Sequence, residues 1–338
     1  MISFKNDYSE GCHPSILKIL SDNNMQQEAG YGDDSISNKA KELILKEVNS
    51  SSSEVYFVSG GTQANLLVIA ATLRPHESVI AANTGHINTH EAGAIEATGH
   101  KINSIETIDG KISGADVQDF LDEYTNPPHM VKPRMVYISN TTEVGTHYTK
   151  SEIEELSKVC RGNDLYLFVD GARLGSALTV DSNDLSLEDL GQLTDVFYIG
   201  GTKNGAMLGE AIVINNVELQ IDFPFHLKQH GALMSKGRTL GAQFLALFTD
   251  NLFFDLARHA NLMAAKLAGA FAAKDYGFLV ESSSNQIFPI LPNGEIERLE
   301  KKYGFYIWEK IDNENSAIRI VTSWATTIES VDSFIADI

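Results

Sequence analysis

Asp195-Val-Phe-Tyr-Ile-Gly-Gly-Thr-Lys203-Asn-Gly-Ala-Met-Leu-Gly209 is the stretch on which the reading of this chain turns. Val196 to Ile199 is a short apolar run that reads as a buried strand, and Ala211 to Ile214 reads as the next one. Two glycines stop the first run, and a lysine follows at once. Gly205 and Gly209 keep the backbone beyond it loose. Lys203 is thus expected in a tight turn at the end of a core strand, with no bulky neighbour over its amine. Lysines prefer solvated faces, and a partly desolvated lysine has a lowered pKa. An unprotonated amine in a pocket is what Schiff-base chemistry requires. A plain surface lysine between two strands explains the stretch equally well, so the rest of the sequence must decide.

Upstream, the same pattern recurs. Leu165 to Val169 is a fully apolar strand that ends in Asp170-Gly-Ala-Arg173, and Met135 to Ile138 is a strand that ends in Ser139-Asn-Thr-Thr-Glu143-Val-Gly145. Val55 to Val58 runs into Ser59-Gly-Gly-Thr62-Gln-Ala-Asn65, with an apolar helix over Leu66 to Leu73. Strand, glycine turn, helix is the arrangement that aims free N–H groups and a helix dipole at a phosphate. An ordinary strand-to-helix turn accounts for this piece as simply when it is taken alone. Val79 to Ala81 is a further strand, followed by a loop and helix carrying His86, His90 and Glu91. His86 and His90 would share a helix face like a metal pair. No third ligand stands in register, so no metal site is expected.

Helices are expected over Pro14 to Leu20, Ser37 to Val48 and Asp116 to Tyr124. Thr149-x-x-Glu152 is a capping box, opening another that ends near Gly162. Strands alternating with helices from Val55 to Ile199 indicate an α/β domain with a mainly parallel sheet. Ligands of such sheets bind at the carboxyl ends of the strands. The glycine turn, Asp170, Arg173 and Lys203 all fall at such ends and can converge on one crevice.

After Ile214 the texture changes. Phe225 to Gly241 is polar, with Lys228, Lys236 and Arg238. Ala242 to Lys274 reads as one long helical stretch, too apolar for a free surface. Strand-like pieces follow at Phe278 to Val280, Gln286 to Leu291, Phe305 to Trp308 and Ile318 to Thr322, with helices over Glu295 to Lys302 and Ile328 to Ile338. A smaller α+β domain is expected there, its boundary near residue 245. The chain of 338 residues has room for both. A formal net charge of −19 argues against nucleic acid or an anionic membrane as partner. Met1 to Asp7 has no signal-peptide character and no apolar run reaches membrane-span length. The two cysteines, Cys12 and Cys160, have no metal-like spacing. A cytoplasmic protein with reduced thiols is the simplest expectation.

A strand-end aspartate some thirty residues before a strand-end lysine, with a phosphate turn upstream, is what pyridoxal 5'-phosphate needs. The lysine would hold the cofactor covalently. The aspartate would pair with the pyridinium nitrogen so that the ring acts as an electron sink. The glycine turn would take the phosphate, and His86 is a candidate to lie against the ring.

With these residues in place, the chain resembles the threonine aldolases of the aromatic amino acid β-eliminating lyase group. Its marks are Tyr31-Gly-Asp-Asp34, Gly60-Gly-Thr-Gln-Ala-Asn65, His86 with Glu91-Ala-Gly93, Asp170-Gly-Ala-Arg173, Lys203 and Ile318-Arg-Ile-Val-Thr322. They run over nearly the whole chain. The resemblance implies an aspartate aminotransferase-like fold (fold type I). Its large domain, residues 16–244, would carry a mainly parallel seven-stranded sheet. Residues 245–338 would form a small α+β domain, joined by an N-terminal arm over residues 1–15. It implies that Lys203 holds the cofactor, Asp170 its ring nitrogen, and Gly60, Gly61, Thr62 and Thr202 its phosphate. His86 would stack on the ring near the substrate hydroxyl. Arg173 would sit beside the ring and the substrate carboxylate, which Arg319 would take bidentately; a surface arginine at a strand end is the plain alternative for Arg319. Tyr31 and Lys228 would reach a neighbouring subunit's site, in a homodimer or homotetramer with shared active sites.

Three departures bear on substrate. Thr202-Lys203-Asn204 replaces a Ser-Lys-Gly common in the family, keeping the hydroxyl. Thr142-Glu143 stands where many members carry a histidine near the substrate side chain. Asn6 aligns with a serine that touches the carboxylate in relatives. The expected reaction is retro-aldol cleavage of threonine, allo-threonine or a related β-hydroxy amino acid to glycine and an aldehyde. His86 is the first candidate base and Glu143 the second, since a carboxylate is a poor base unless buried. β-Elimination to a keto acid and ammonia is the alternative with the same cofactor. A binding protein that has lost the cofactor ranks third. A nicotinamide oxidoreductase ranks last, because the turn lacks G-x-G-x-x-G spacing.

Overall fold

The apolar runs that mark the sequence fold as strands whose side chains alternate between two cores. The computed structural model describes residues 1–338. Its strands, in chain order, are β1 (Ile2–Ser3), β2 (Glu54–Val58), β3 (Glu77–Ala82), β4 (Lys101–Ile105), β5 (Lys132–Ser139), β6 (Tyr166–Asp170), β7 (Val196–Gly200), β8 (Glu210–Ile214), β9 (Gln286–Ile287), β10 (Ile290–Pro292), β11 (Tyr303–Gly304), β12 (Tyr306–Lys310) and β13 (Asn315–Val321). Strands β2 to β8 form one seven-stranded sheet of order β2-β8-β7-β6-β5-β3-β4. The sheet is parallel throughout except for β8, which runs antiparallel to both its neighbours. This is the mainly parallel α/β architecture that the sequence predicts.

Every residue of β3, β7 and β8 is buried, as expected for strands covered on both faces. Val136, Val169, Phe197 and Val213 feed one core, packed under the helices Ser35–Val48, Lys150–Gly162 and Arg238–Leu247. Their sequence neighbours Tyr137, Phe168, Tyr198 and Ile212 point to the other face, under the helix Gly61–Thr72. Right-handed crossovers between parallel strands place the strand ends β2, β5, β6 and β7 on one edge, where their loops meet.

The remaining strands make a second, smaller layer. β10, β13 and β12 pair antiparallel and β9 adds to β13, while β1 pairs parallel with β11. The helices Leu252–Ala272 and Ile328–Asp337 cover this layer. Phe4 is fully buried in its core, edge-on to Phe334 at 5.4 Å. Burial of one such ring contributes about 1.5–3 kcal/mol, enough to hold residues 2 to 4 in place.

Three details depart from the sequence expectation. The stretch from Ala242 to Lys274 is not one helix: Arg238–Leu247 and Leu252–Ala272 are separated by a turn in which Asp250 and Asn251 have φ of 53° and 63°. Aspartate and asparagine tolerate this left-handed region better than other side chains do, and the stacked rings of Phe248 and Phe253 close the corner. β4 is an edge strand that half-polar Lys101-Ile-Asn-Ser-Ile105 does not advertise. Phe278 makes only an isolated bridge, with Pro289, in place of a strand.

Candidate active site

A cavity of about 320 Å³ opens at the carboxyl edge of the large sheet, within the range of small-molecule sites. Gly60, Gly61 and Thr62 line it from the turn after β2, and His86 and Glu143 from the loops after β3 and β5. Asp170 and Arg173 line it from the end of β6, and Thr202 and Lys203 from the turn after β7. Nine residues singled out from the sequence therefore share one cavity.

Lys203 is partly buried, and desolvation followed by the nearby charge of Arg173 holds its amine below the usual lysine range. Gly205, two residues on, has φ of 91°, and a Cβ there would meet Leu256 at 2.5 Å. The tight turn that delivers Lys203 to the cavity thus depends on this glycine.

Asp170 is anchored by four donors. Its Oδ1 accepts from the Ala172 amide at 3.0 Å and from the Tyr198 hydroxyl. Its Oδ2 accepts from the Tyr137 hydroxyl at 2.5 Å and from Asn65 Nδ2 at 3.0 Å. Burial and then the Asp170 charge push both tyrosine hydroxyls well above their ordinary pKa, so they remain donors. Asn65 also donates to Glu91 Oε1 at 2.7 Å, and the same oxygen pairs with His86 Nδ1 at 2.8 Å. That pairing orients the imidazole and leaves Nε2 uncommitted. The glycine of the Asp-Gly-Ala-Arg motif has a steric cause: a Cβ at Gly171 would lie 1.8 Å from the Tyr198 carbonyl oxygen.

Glu143 is partly buried, and desolvation raises its carboxyl pKa. It accepts from the His86 amide at 2.9 Å and from Ser139 Oγ at 2.7 Å. Burial is the condition under which a carboxylate becomes a competent base, so this residue is a stronger candidate than its sequence context suggests.

Three predicted residues lie outside this cavity. Asn6 turns its side chain to the Tyr8 amide at 3.0 Å and Ser9 Oγ at 2.9 Å. Arg319 donates to Gln286 Oε1 at 3.1 and 2.6 Å and lies over the Trp308 ring. Burial, then the charge of Arg173, lowers its pKa to about 10, which places it within electrostatic reach of the site. Tyr31 is half exposed in a separate small pocket, with Lys228 4.8 Å above its ring.

Arg173 lines the cavity and is also ion-paired. Its Nε and Nη2 donate to Asp7 at 2.7 and 3.0 Å, and Asn285 Nδ2 donates to the same carboxylate at 2.9 Å. Asp7 is fully buried. Burial alone would raise its pKa, but Arg173 and Lys203 outweigh burial and the net shift is downward. Asp7, Asn65, Tyr137, Tyr198 and Glu210 are site residues that sequence reasoning missed. A tyrosine inside an otherwise apolar strand must find a hydroxyl partner, so Tyr137 and Tyr198 did carry a signal.

These donors suit a phosphorylated aromatic cofactor. No side chain caps the N-terminus of Gly61–Thr72, whereas Asp34, Thr149 and Ser186 cap other helices. Its first amides border the cavity, where they can meet an anion. Thr141 Oγ1, also on the cavity, is buried with no partner in the protein.

Comparison with known proteins agrees with this geometry. The fold is that of the aspartate aminotransferases: the Thermus thermophilus enzyme superposes with a TM-score of 0.74 at 14% identity, covering 100% of this chain and 90% of that one. The family model for beta-eliminating lyases matches residues 13–292, and the chain belongs to that family. Within it, the chain is similar to the low specificity L-threonine aldolase of Pseudomonas aeruginosa, 34% identical over 99% of this chain and 96% of that protein. It is also similar to a solved Leishmania major threonine aldolase, with a TM-score of 0.98 and 49% identity over 99% of this chain and 98% of that one.

Proposed function

We propose that this protein is a pyridoxal-phosphate-dependent lyase of threonine aldolase type, cleaving L-threonine, L-allo-threonine or a related β-hydroxy amino acid to glycine and an aldehyde. The observation that carries the reading is the convergence of Lys203, Asp170 and the uncapped glycine turn on one cavity. Lys203 Nζ, its pKa lowered first by burial, would be the attachment point. Gly60, Gly61 and Thr62 take the phosphate through their amides, and Thr202 lies beside them. Asp170 meets the ring nitrogen, held in place by Tyr137, Tyr198 and Asn65. When bound, the cofactor supplies an electron sink for the pair left on Cα.

The chain's own residues perform the rest. Arg319 receives the substrate carboxylate, and Arg173, already neutralised by Asp7, shapes the site beside it. His86 Nε2 takes the β-hydroxyl proton directly or through a water, with Nδ1 steadied on Glu91. The Cα–Cβ bond then breaks, the β-carbon leaves as the aldehyde, and Cα takes up a proton to give glycine. Glu143, in contact with the His86 amide, is the second group able to hold a proton there. Tyr31 and Lys228, remote from their own cavity, serve a neighbouring subunit in a homodimer or homotetramer. We place the protein in the cytoplasm; no helix is long and apolar enough to cross a membrane.

Borohydride tests the reading. The purified protein should be yellow, and reduction should bleach it and leave a pyridoxyl label on Lys203. Incubation with L-allo-threonine should yield glycine and acetaldehyde in equal amounts. A colourless protein that pyridoxal phosphate does not restore overturns the cofactor. A keto acid and ammonia without aldehyde would overturn the aldol reading in favour of β-elimination.

A further inference from the structure

An acid stands where an anion cradle is expected to offer only donors. β8 begins at Glu210, whose register sets it opposite Val58, the last residue of β2, and opposite Gly200, the last residue of β7. The glycine turn departs from one of these strands and the turn carrying Lys203 from the other. Glu210 is thus wedged between the two loops that would hold the phosphate, and it lines the same cavity. It is 4% exposed, and its Oε2 accepts the Gly201 amide at 2.8 Å. Burial pushes its carboxyl up to about 7 against the opposing pull of the Gly201 amide, Thr202 and Lys203.

The groups facing it are few. Lys203 from the turn and Asp170 from β6 act on it across the cavity, and Tyr198 faces it from β7. Arg173 and Asp7 act on it only through Lys203. β2 offers Val58, and the helix Arg238–Leu247 offers the neutral Gln243, bonded to the Met207 and Leu208 amides. An ionised Glu210 here would repel a phosphate, whereas the neutral acid is a donor.

We infer that Glu210 binds the phosphate group of the cofactor as a neutral acid, donating its proton to a phosphate oxygen, so that filling the cradle takes up one proton. The inference rests on pyridoxal phosphate occupying this cavity. By linkage, a phosphate that raises the affinity of Glu210 for its proton is itself bound more tightly when that proton is present. Above the pKa of Glu210 in the empty protein, affinity for the phosphate group falls ~tenfold per pH unit.

The test compares pyridoxal phosphate with pyridoxal, which lacks the phosphate, on apoprotein from about pH 6 to about pH 9. The ratio of the two dissociation constants isolates the phosphate site. Glu210→Gln, neutral at every pH and still a donor, supplies the baseline, including the second ionisation of the phosphate itself near pH ~6. Relative to that baseline, the phosphate advantage of the unmodified protein should fall ~tenfold per pH unit on the alkaline side. Superimposable profiles overturn the inference. Calorimetry of the unmodified protein in buffers of different ionisation enthalpy requires no variant. Near pH ~8, pyridoxal phosphate should take up about one proton more than pyridoxal does, and equal uptake overturns the inference. If neither aldehyde gives a chromophore on Lys203 at any pH, the cofactor reading falls and this inference with it.

Discussion

Arg173 shows how one carboxylate changes what a conserved-looking motif can do. The arginine of Asp170-Gly-Ala-Arg173 has its Nε and Nη2 committed to Asp7, so only Nη1 is left for a substrate carboxylate. Asp7→Ala would leave a buried guanidinium without its counter-ion, at a cost of about 3–5 kcal/mol at neutral pH. Because the folded pKa of Asp7 lies below its ordinary value of 3.8, its contribution is present above that pH and is lost as the pH falls below it. Denaturant melts of the two proteins should therefore differ near neutrality and converge in acid. Tyr137→Phe removes a donor from a buried carboxylate and should cost about 1.5–3 kcal/mol by the same measurement. It should also weaken cofactor retention, which the visible absorbance after dialysis reports. Asp170, Arg173 and Lys203 are legible in the sequence because each follows an apolar run directly. Asp7 is not: it sits in a polar, irregular segment, and its partner lies 166 residues away. Glu210 was passed over because the strand reading began one residue later, at Ala211.

At the level of elements, the strands of the large sheet and most helices follow from local pattern, since apolar runs and capping boxes are local signals. The break between Arg238–Leu247 and Leu252–Ala272 does not, because the apolar composition continues through it and only the Thr249-Asp250-Asn251 turn marks it. Edge strand β4 escapes for the opposite reason: Lys101 and Ser104 are exposed, and even its one buried position is a polar residue, Asn103. The turn after β7 is the element on which the chemistry depends. Gly205→Ala would place a side chain both at a left-handed φ and against Leu256. The strain of the first alone is about 1–2 kcal/mol, so the turn should shift and take Lys203 with it. Thermal melts should show a loss of stability. Cofactor-dependent absorbance should fall by more than the population of unfolded protein explains.

Over the whole molecule, the site depends on more than one layer, and the proposed role of Tyr31 and Lys228 would add a neighbouring subunit. Lys228 Nζ lies 4.8 Å over the Tyr31 ring, and both residues lie outside the cavity of their own chain. Mixing Lys203→Ala with Tyr31→Phe, each of low activity, and allowing subunits to exchange should restore about a quarter of the unmodified activity, because each mixed dimer has one intact site. No recovery would mean that Tyr31 serves its own site or none. The N-terminal segment makes a comparable link within the chain. Residues 2 and 3 pair with β11, Phe4 fills the small core, and Asp7 reaches Arg173 and Asn285, the last 278 residues away. On the ribosome this segment emerges long before most of its partners exist. Arg173 appears midway, but its other partners are not made until almost the whole polypeptide exists. The attachment of this strap is therefore completed late, and a truncated product ending before Asn285 would leave Asp7 with Arg173 alone.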